Sequence, residues 1–262
     1  MTTYLLTADI GNSHTVIGLF NGADLSCKWR IRTNRGITCD ELAAQLSQML
    51  ALHNISFSQI AHTVLASVVP ASLNSWQGLS RRYLGDAPLI VADAANVRMP
   101  ILCTHPYEVG ADRLVNALAA YAMYGSALII IDYGTATTFD CVSSRGEYLG
   151  GAIAPGLSIA ADALTSRTSK LPGIDLFSTP ETVLGRDTTS AMQSGFIYGF
   201  AGLTDGILQR LIGEFDTTPE VLATGGLAPV IVPHCSLVRK TEPDLTLEGL
   251  RLVFEHIQKN RK

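Results

Sequence analysis

The stretch Leu5-Leu6-Thr7-Ala8-Asp9-Ile10-Gly11-Asn12-Ser13 sets a pattern that returns at Leu128-Ile129-Ile130-Ile131-Asp132-Tyr133-Gly134-Thr135. In both places an apolar run ends in Asp-x-Gly with small polar residues after it, and a second apolar run follows. This order predicts a strand, a tight turn and a second strand. Asp9 and Asp132 are separated by nearly half of the 262-residue chain. Such spacing favours a duplicated α/β domain with one cleft between the halves.

The composition is that of an ordinary folded protein, with 47% apolar and 16% charged residues. A formal net charge of −4 gives no bulk attraction to nucleic acid or to an anionic membrane, so we expect neither partner. The five cysteines are scattered, which favours a reducing compartment over a disulfide framework or a zinc site. No apolar stretch approaches the roughly 20 residues of a membrane span, and the N-terminus lacks a signal-peptide pattern. We therefore expect a cytoplasmic protein.

Hydrophobic periodicity alternates between strands and helices, which is typical of an α/β fold. The first half is predicted as β-β-β-α-β-α-β, and the expected domains are 1–114 and 115–262, with the last helix able to pack back on the first domain. A Gly- and Pro-rich turn is expected over residues 150–156. Helices are predicted over residues 40–53, 70–83, 112–124, from about 157 onward, 190–212 and 247–257, and strands over 27–32, 63–69, 89–91 and 220–223.

The residues of the two turns are suited to binding an anion together with a metal ion. A tight turn of Gly and small polar residues presents backbone N–H groups, which residues 11–15 and 134–138 both supply. A carboxylate at each strand end, Asp9 and Asp132, could hold a hydrated Mg²⁺ with substrate oxygens. These are the parts that phosphoryl transfer needs. The alternative is that each aspartate only caps its own turn.

The common nucleotide-binding and hydrolase motifs are absent. The chain contains neither G-x-x-x-x-G-K-[ST] nor G-x-G-x-x-G, and neither H-E-x-x-H nor G-x-S-x-G. The six histidines show no metal-ligand spacing. The basic residues Lys28, Arg30, Arg32 and Arg35 alternate with apolar ones, which predicts a solvated strand face.

A kinase that acts on an alcohol also needs a base, and Asp112 is the candidate. It stands in Gly110-Ala111-Asp112-Arg113, where a loop is predicted to enter a helix. In the functional interpretation Asp112 accepts a hydroxyl proton while Arg113 holds an anionic group of the substrate. In the structural interpretation Asp112 is a helix N-cap and Arg113 is solvated. The pattern alone leaves both interpretations open.

Eight motifs follow one another along nearly the whole chain. They are Asp9-x-Gly-Asn-Ser, Ser67-Val68-Val69-Pro70, Gly110-Ala111-Asp112-Arg113, Asp132-x-Gly-Thr-Ala-Thr-Thr, Gly150-Gly151-x-Ile153-x-Pro155-Gly156, Leu171-Pro172, Gly185-x-x-Thr188 and Thr224-Gly225-Gly226. In this order they closely resemble the type III pantothenate kinases. The resemblance implies a duplicated actin-like ATPase (ribonuclease H-like) fold of the acetate and sugar kinase superfamily. It also implies a homodimer that phosphorylates pantothenate to 4′-phosphopantothenate with ATP, in the first step of coenzyme A biosynthesis.

The resemblance further implies roles for individual residues. Asp112 would be the general base, Asp132 would bind a monovalent cation, K⁺ or NH₄⁺, and Asp9 would hold Mg²⁺ through water. Thr188 would contact pantothenate and reach toward the neighbouring subunit's site. The implied ATP-binding residues are Asp9, Ile10, Gly11, Asn12, Ser13, His14, Thr15, Val16, Thr135, Gly225 and Gly226. The implied substrate-binding residues are Gly110, Ala111, Asp112, Arg113 and Thr188.

Two positions depart from the family pattern. The family often has a substrate-binding tyrosine seven residues before the Gly of its Gly-x-Asp-Arg motif, where this chain has Cys103, and Tyr107 is out of register. Ser13 and His14 stand where Thr and Asn are common, and Ser13 keeps the hydroxyl. Two other functions stay open, namely a non-catalytic regulatory or accessory protein of the same fold and a different small-molecule kinase of the superfamily.

Overall fold

The computed structural model describes residues 2–91 and 97–259. The chain forms two compact units, each built on one sheet. The first unit comprises residues 1–99, 104–119 and 245–262, and the second comprises residues 100–103 and 120–244. The division falls slightly later than the boundary expected between residues 114 and 115, and the C-terminal helix belongs to the first unit.

Strands and helices alternate along the described residues. The strands are β1 Tyr4–Ile10, β2 His14–Asn21, β3 Asp24–Arg32, β4 Ile60–Ser67, β5 Leu89–Val91, β6 Leu128–Tyr133, β7 Ala136–Val142, β8 Tyr148–Pro155, β9 Glu220–Thr224 and β10 Lys240–Thr241. The helices are α1 Cys39–Ala51, α2 Pro70–Leu79, α3 Ala111–Tyr124, α4 Leu157–Ser166, α5 Thr188–Ile212, α6 Ala228–Ile231 and α7 Leu245–Lys259. No helix within the described part of the chain is both long and apolar enough to cross a membrane.

The two sheets have the same topology. The first has the order β3-β2-β1-β4-β5 and the second the order β10-β9-β6-β7-β8. In each, a hairpin supplies the first two strands, a third strand continues antiparallel, and a later strand returns parallel to the first. A parallel return needs a crossover connection, which explains the helices between the paired strands. The predicted α/β class and the duplication are confirmed.

Burial follows the position of each strand in its sheet. The central strand β6 is covered on both faces, and its residues 128–131 are fully buried, as its unbroken apolar run predicts. β3 lies at an edge and alternates, so Cys27 is buried while Lys28, Arg30 and Arg32 are exposed. The basic face predicted for this strand is therefore solvent-accessible.

The C-terminal helix is held closely by the first unit. α7 packs on strands of the first sheet. A Cβ atom on its Gly249 would lie 2.2 Å from the carbonyl oxygen of Val115 in α3, so only glycine permits this approach.

One predicted turn is wrong, because residues 150–156 mostly form strand β8, which ends at Pro155. A Cβ atom on Gly151 would lie 1.7 Å from the carbonyl oxygen of Phe139 in the neighbouring strand. The glycine therefore permits close strand packing rather than a change of direction, a use of Gly that composition does not distinguish from a turn. The two-residue strand β10 also has no counterpart among the predicted elements.

Candidate active site

The first Asp-x-Gly turn joins β1 to β2 in the first unit. Asp9 is half-buried, lies opposite Val16 in the hairpin and opposite Ala66 of the parallel strand β4. The amide of Gly11 donates a hydrogen bond to the carbonyl of His14 at 3.1 Å, which closes the turn. The predicted strand-turn-strand is thus present, and residues 12–14 at its tip are exposed.

The backbone of this turn is anchored by the residue that follows β3. The hydroxyl of Thr33 donates to the carbonyl of Gly11 at 2.7 Å, and its amide donates to the carbonyl of Ser13 at 3.0 Å. The Thr33 hydroxyl also lies 2.9 Å from that of Thr15, which is buried. The turn is therefore positioned by three strands rather than by its own hairpin alone.

Two arginines reach the side chains at the tip of this turn. Nη2 of Arg30 lies 3.0 Å from Nδ1 of His14, and Nη2 of Arg35 donates to Oδ1 of Asn12 at 3.1 Å. Partial desolvation of the otherwise exposed ring, and then the charges of Arg30 and Arg32, hold the pKa of His14 below its ordinary value. Sequence alternation correctly predicts that these arginines are exposed, but it does not show that they adjoin the turn.

The second Asp-x-Gly turn joins β6 to β7 in the second unit, and there Asp132 meets the predicted Gly225 turn. A Cβ atom on Gly225 would lie 2.4 Å from Oδ1 of Asp132, and φ at Gly225 is +92°, a region that favours glycine. The amide of Leu227 donates to the carbonyl of Tyr133 at 3.3 Å. Asp132 and the Gly225-Gly226 turn therefore form one local structure.

The remaining predicted residues of the second unit lie at two helix ends. Thr135 adjoins the start of α4, because a Cβ on Gly156 would lie 2.1 Å from the Thr135 carbonyl oxygen. Thr188 is exposed and begins α5, which Asp187 caps by accepting a hydrogen bond from the Ser190 amide at 2.9 Å. Hydrogen bonds from Ser190 hold the pKa of Asp187 below its ordinary value, so the cap stays charged at neutral pH.

The Gly-x-Asp-Arg motif opens α3, and its aspartate is not the N-cap. Gly110 precedes the helix and its carbonyl accepts from the Leu114 amide at 3.2 Å, so Asp112 is the second helical residue. Oδ1 of Asp112 accepts a hydrogen bond from the Arg113 amide at 2.9 Å. A Cβ on Gly110 would lie 2.4 Å from the same Oδ1. A side chain at position 110 would therefore push the Asp112 carboxylate away from this position.

The two residues near the family's tyrosine position differ in their surroundings. Cys103 is half-buried, and its Sγ lies 3.5 Å from the place of a Cβ on Gly150 within the second unit. Tyr107 is 84% exposed in the short 3-10 turn Pro106–Glu108 of the first unit. Neither observation assigns a substrate-contacting aromatic residue.

The carboxylate at the first turn suits one kind of divalent ion. Among residues 2–91 and 97–259 no group of three or more His, Cys, Asp or Glu side chains could hold a metal ion. A single carboxylate such as Asp9 nevertheless suits Mg²⁺, which keeps waters and takes substrate phosphates as ligands. Beside Asp132, a Cβ at Gly225 would lie 2.4 Å from Oδ1 and 2.6 Å from the Tyr133 amide nitrogen, so Asp132 is closely packed on this side. Asp9 therefore fits the Mg²⁺ that the resemblance implies.

The family profile of type III pantothenate kinase matches residues 5–210. The type III pantothenate kinase of Desulfatibacillum aliphaticivorans is 47% identical over 253 residues, which cover 97% of this chain and 98% of that protein. The chain belongs to the type III pantothenate kinase family.

Solved structures confirm the fold of this kinase. Component A of (R)-2-hydroxyglutaryl-CoA dehydratase from Acidaminococcus fermentans has a TM-score of 0.58 at 15% identity, covering 99% of this chain and 100% of that one. The activator of 2-hydroxyisocaproyl-CoA dehydratase from Clostridium difficile, with bound ADPNP, has a TM-score of 0.55 at 12% identity, covering 99% and 97%. At these identities the likeness shows the fold alone, which is the predicted actin-like ATPase fold.

The contact between Gly225 and Asp132 gives a testable prediction for this kinase. Gly225→Ala adds a methyl group 2.4 Å from Oδ1 of Asp132 and 2.6 Å from the backbone nitrogen of Tyr133, and a left-handed φ alone costs a non-glycine residue about 1–2 kcal/mol. Gly85→Ala is the matched control, because Gly85 has φ +76° and nothing within 4 Å of its Cβ position. We expect chemical denaturation to show that Gly85→Ala lowers the free energy of unfolding only by the cost of its left-handed φ. This variant should keep full kinase activity. Gly225→Ala should lose more stability and most activity, and equal effects of the two variants would contradict the close packing of Gly225 against residues 132–133.

Proposed function

We propose that this chain transfers the γ-phosphoryl group of ATP to the terminal hydroxyl of pantothenate, giving 4′-phosphopantothenate and ADP. The observation that carries the proposal is near-full-length similarity at 47% identity to a named type III pantothenate kinase. The reaction is the first step of coenzyme A biosynthesis. None of the five cysteines, all of which lie in described residues, forms a disulfide bond, which supports a reducing, cytoplasmic setting.

Asp112 is the proposed general base. Its Oδ1 is held by the Arg113 amide, and no described residue donates a hydrogen bond to its Oδ2. A carboxylate fixed through one oxygen keeps the other for the pantothenate hydroxyl, whose proton it accepts as the oxygen attacks phosphorus. Arg113 would bind the carboxylate of pantothenate through its guanidinium group, with Gly110 and Ala111 lining the same site.

The residues from Asp9 to Val16 are the proposed phosphate loop for ATP. Backbone N–H groups of such a turn bind phosphate oxygens, and the hydroxyl of Ser13 adds a donor. Mg²⁺, held by Asp9 through water, would neutralise charge on the phosphates when bound. Thr135 and the Gly225-Gly226 turn are the proposed ATP contacts of the second unit. With catalysis supplied by position and charge, no covalent intermediate on the protein is needed.

A homodimer is proposed from an apolar surface of the second unit. A groove of about 660 Å³ runs along α5, and Thr188 lies on it. Leu164, 39% exposed, forms part of its wall. A second copy of the chain would cover this surface and bring Thr188 toward the neighbouring pantothenate site. The residues that line the groove are Leu164, Leu171, Thr188, Ala191, Met192, Gly195, Phe196, Gly199, Phe200 and Leu203.

The base assignment is tested by Asp112→Asn. Asparagine keeps an oxygen for the Arg113 amide but cannot accept the proton, so we expect kcat to fall by about 10²- to 10⁴-fold. ADP release is measured with pantothenate, with sugars, with acetate and with water alone, and only pantothenate should support turnover by the unmodified protein. Asp24→Asn, an exposed carboxylate at the β2–β3 turn, is the control. Full kcat in the Asp112 variant would exclude it as the base.

The cation site is tested by exchanging salts at constant ionic strength. We expect the unmodified protein to be several-fold more active in K⁺ or NH₄⁺ than in Na⁺, because an ion of suitable size would sit beside Asp132. Asp132→Asn removes the charge that attracts the ion and should abolish the difference between the salts. Activity of the unmodified protein that is indifferent to K⁺ and Na⁺ would count against Asp132 as a cation ligand.

The dimer is tested by placing a carboxylate on the groove. Leu164→Glu should shift the protein from dimer to monomer in light scattering coupled to gel filtration, because an uncompensated charge is costly in an apolar interface. We expect the monomer to lose affinity for pantothenate more than for ATP. Leu52→Glu is the control, since Leu52 is 79% exposed on the first unit. A monomeric unmodified protein with full activity would refute the dimer.

A further inference from the structure

We propose that Arg30 and Arg35 leave the His14 and Asn12 side chains of the first turn with donors only, and that the arginines and these donors together bind the polyphosphate chain of ATP. The inference rests on the proposed kinase function and extends it to residues outside the family's phosphate loop. It starts from two side-chain contacts, Arg30 to His14 and Arg35 to Asn12.

Each arginine donates a hydrogen bond to a side-chain atom of the turn that could otherwise accept one from a ligand. A guanidinium group carries only donors, so the atoms facing it, Nδ1 of His14 and Oδ1 of Asn12, must be acceptors. The imidazole then carries its proton on Nε2, and the Asn12 amide keeps its two N–H groups. What these side chains offer to a ligand is therefore N–H alone.

The His14 ring keeps this tautomer because the groups around it disfavour a second proton. Partial desolvation of the ring and the charges of Arg30 and Arg32 all lower the pKa of His14. A neutral ring accepts from Arg30 at Nδ1 and donates at Nε2, whereas a protonated ring would repel the guanidinium. The pair thus presents a fixed donor beside a permanent charge.

The arginines also supply positive charge that the loop itself lacks. Residues 9–16 contain no Lys or Arg, and the whole chain has a net charge of −4. A polyphosphate bound at this turn therefore needs cations from another segment. Arg30, Arg32 and Arg35 are all exposed and reach the turn from β3 and the loop after it.

The arginines are tied to the turn by backbone as well as by side chains. His14 pairs with Arg32 and Val16 with Arg30 across the β2–β3 hairpin. Thr33, which lies between the two arginines in sequence, donates to the carbonyls of Gly11 and Ser13. The donors are consequently arranged before any ligand binds, which is the condition for strong anion binding.

The test is direct binding of ATP, ADP and AMP, with Mg²⁺, to the full chain by calorimetry in the absence of pantothenate. Arg30→Gln and Arg35→Gln should each weaken ATP binding about 10-fold, as expected for loss of charge-assisted hydrogen bonding. The affinity for AMP, which lacks the polyphosphate, should change less than 2-fold in these variants. The double variant should also flatten the dependence of ATP affinity on salt concentration.

Lys28→Gln is the matched control. Lys28 projects from the same exposed face of β3 but pairs with Gly18, away from the turn. We expect its ATP affinity to change less than 2-fold. The melting temperature of each variant shows whether a loss of binding reflects unfolding, and Arg30→Lys, which keeps a charged donor, should recover most of the ATP affinity lost in Arg30→Gln.

Coupling to the turn is tested by repeating Arg30→Gln in a His14→Ala background. Without the imidazole, Arg30 has no ring to orient, so its substitution should cost less than in the unmodified protein. The proposal is overturned if Arg30→Gln and Arg35→Gln bind ATP normally, if Lys28→Gln is equally impaired, or if AMP and ATP weaken alike. Tight ATP binding without ADP formation from pantothenate would instead refute the proposed function and leave this inference standing.

Discussion

In both units one position of the sheet constrains the site. It is the carboxyl end of a strand that lies between its antiparallel hairpin partner and a parallel neighbour. Asp9 occupies that position in the first sheet, opposite Val16 on one side and Ala66 on the other. Asp132 occupies it in the second, with Thr224 on its parallel neighbour. Backbone pairing with two strands fixes the main chain of each aspartate, so the short polar turn that follows starts from a rigid position.

The two sheets share a topology, but the side chains around their two Asp-x-Gly turns differ in chemistry. Around the first turn the neighbouring side chains are donors and cations, as Arg30 and Arg35 show. Around the second, the Asp132 carboxylate packs against Gly225, where a Cβ would lie 2.4 Å from its Oδ1. A surface of donors suits an anion, whereas a carboxylate only accepts hydrogen bonds. The same topology thus places different side-chain chemistry around its two turns.

Much of the fold can be predicted from the sequence because apolar periodicity reports burial directly. The run at residues 128–131 and the 3/4 spacing of α1 correspond to a buried strand and an amphipathic helix. Glycine is where prediction fails, as at Gly151, since its sequence signal is the same for a turn and for a close strand contact. That Arg30 and Arg35 adjoin the turn could not be predicted either, for another reason. Alternation shows which face they share, but only the hairpin register shows that this face adjoins the turn.

Gly110 and Gly225 share a physical role that composition conceals. A Cβ on Gly110 would lie 2.4 Å from Oδ1 of Asp112, and a Cβ on Gly225 would lie the same distance from Oδ1 of Asp132. In each case the carboxylate oxygen takes the space that a side chain would need. Glycine here does not make the backbone flexible. It admits a carboxylate to a place from which any other residue would displace it, so each glycine is as much a part of its site as the acid it accompanies.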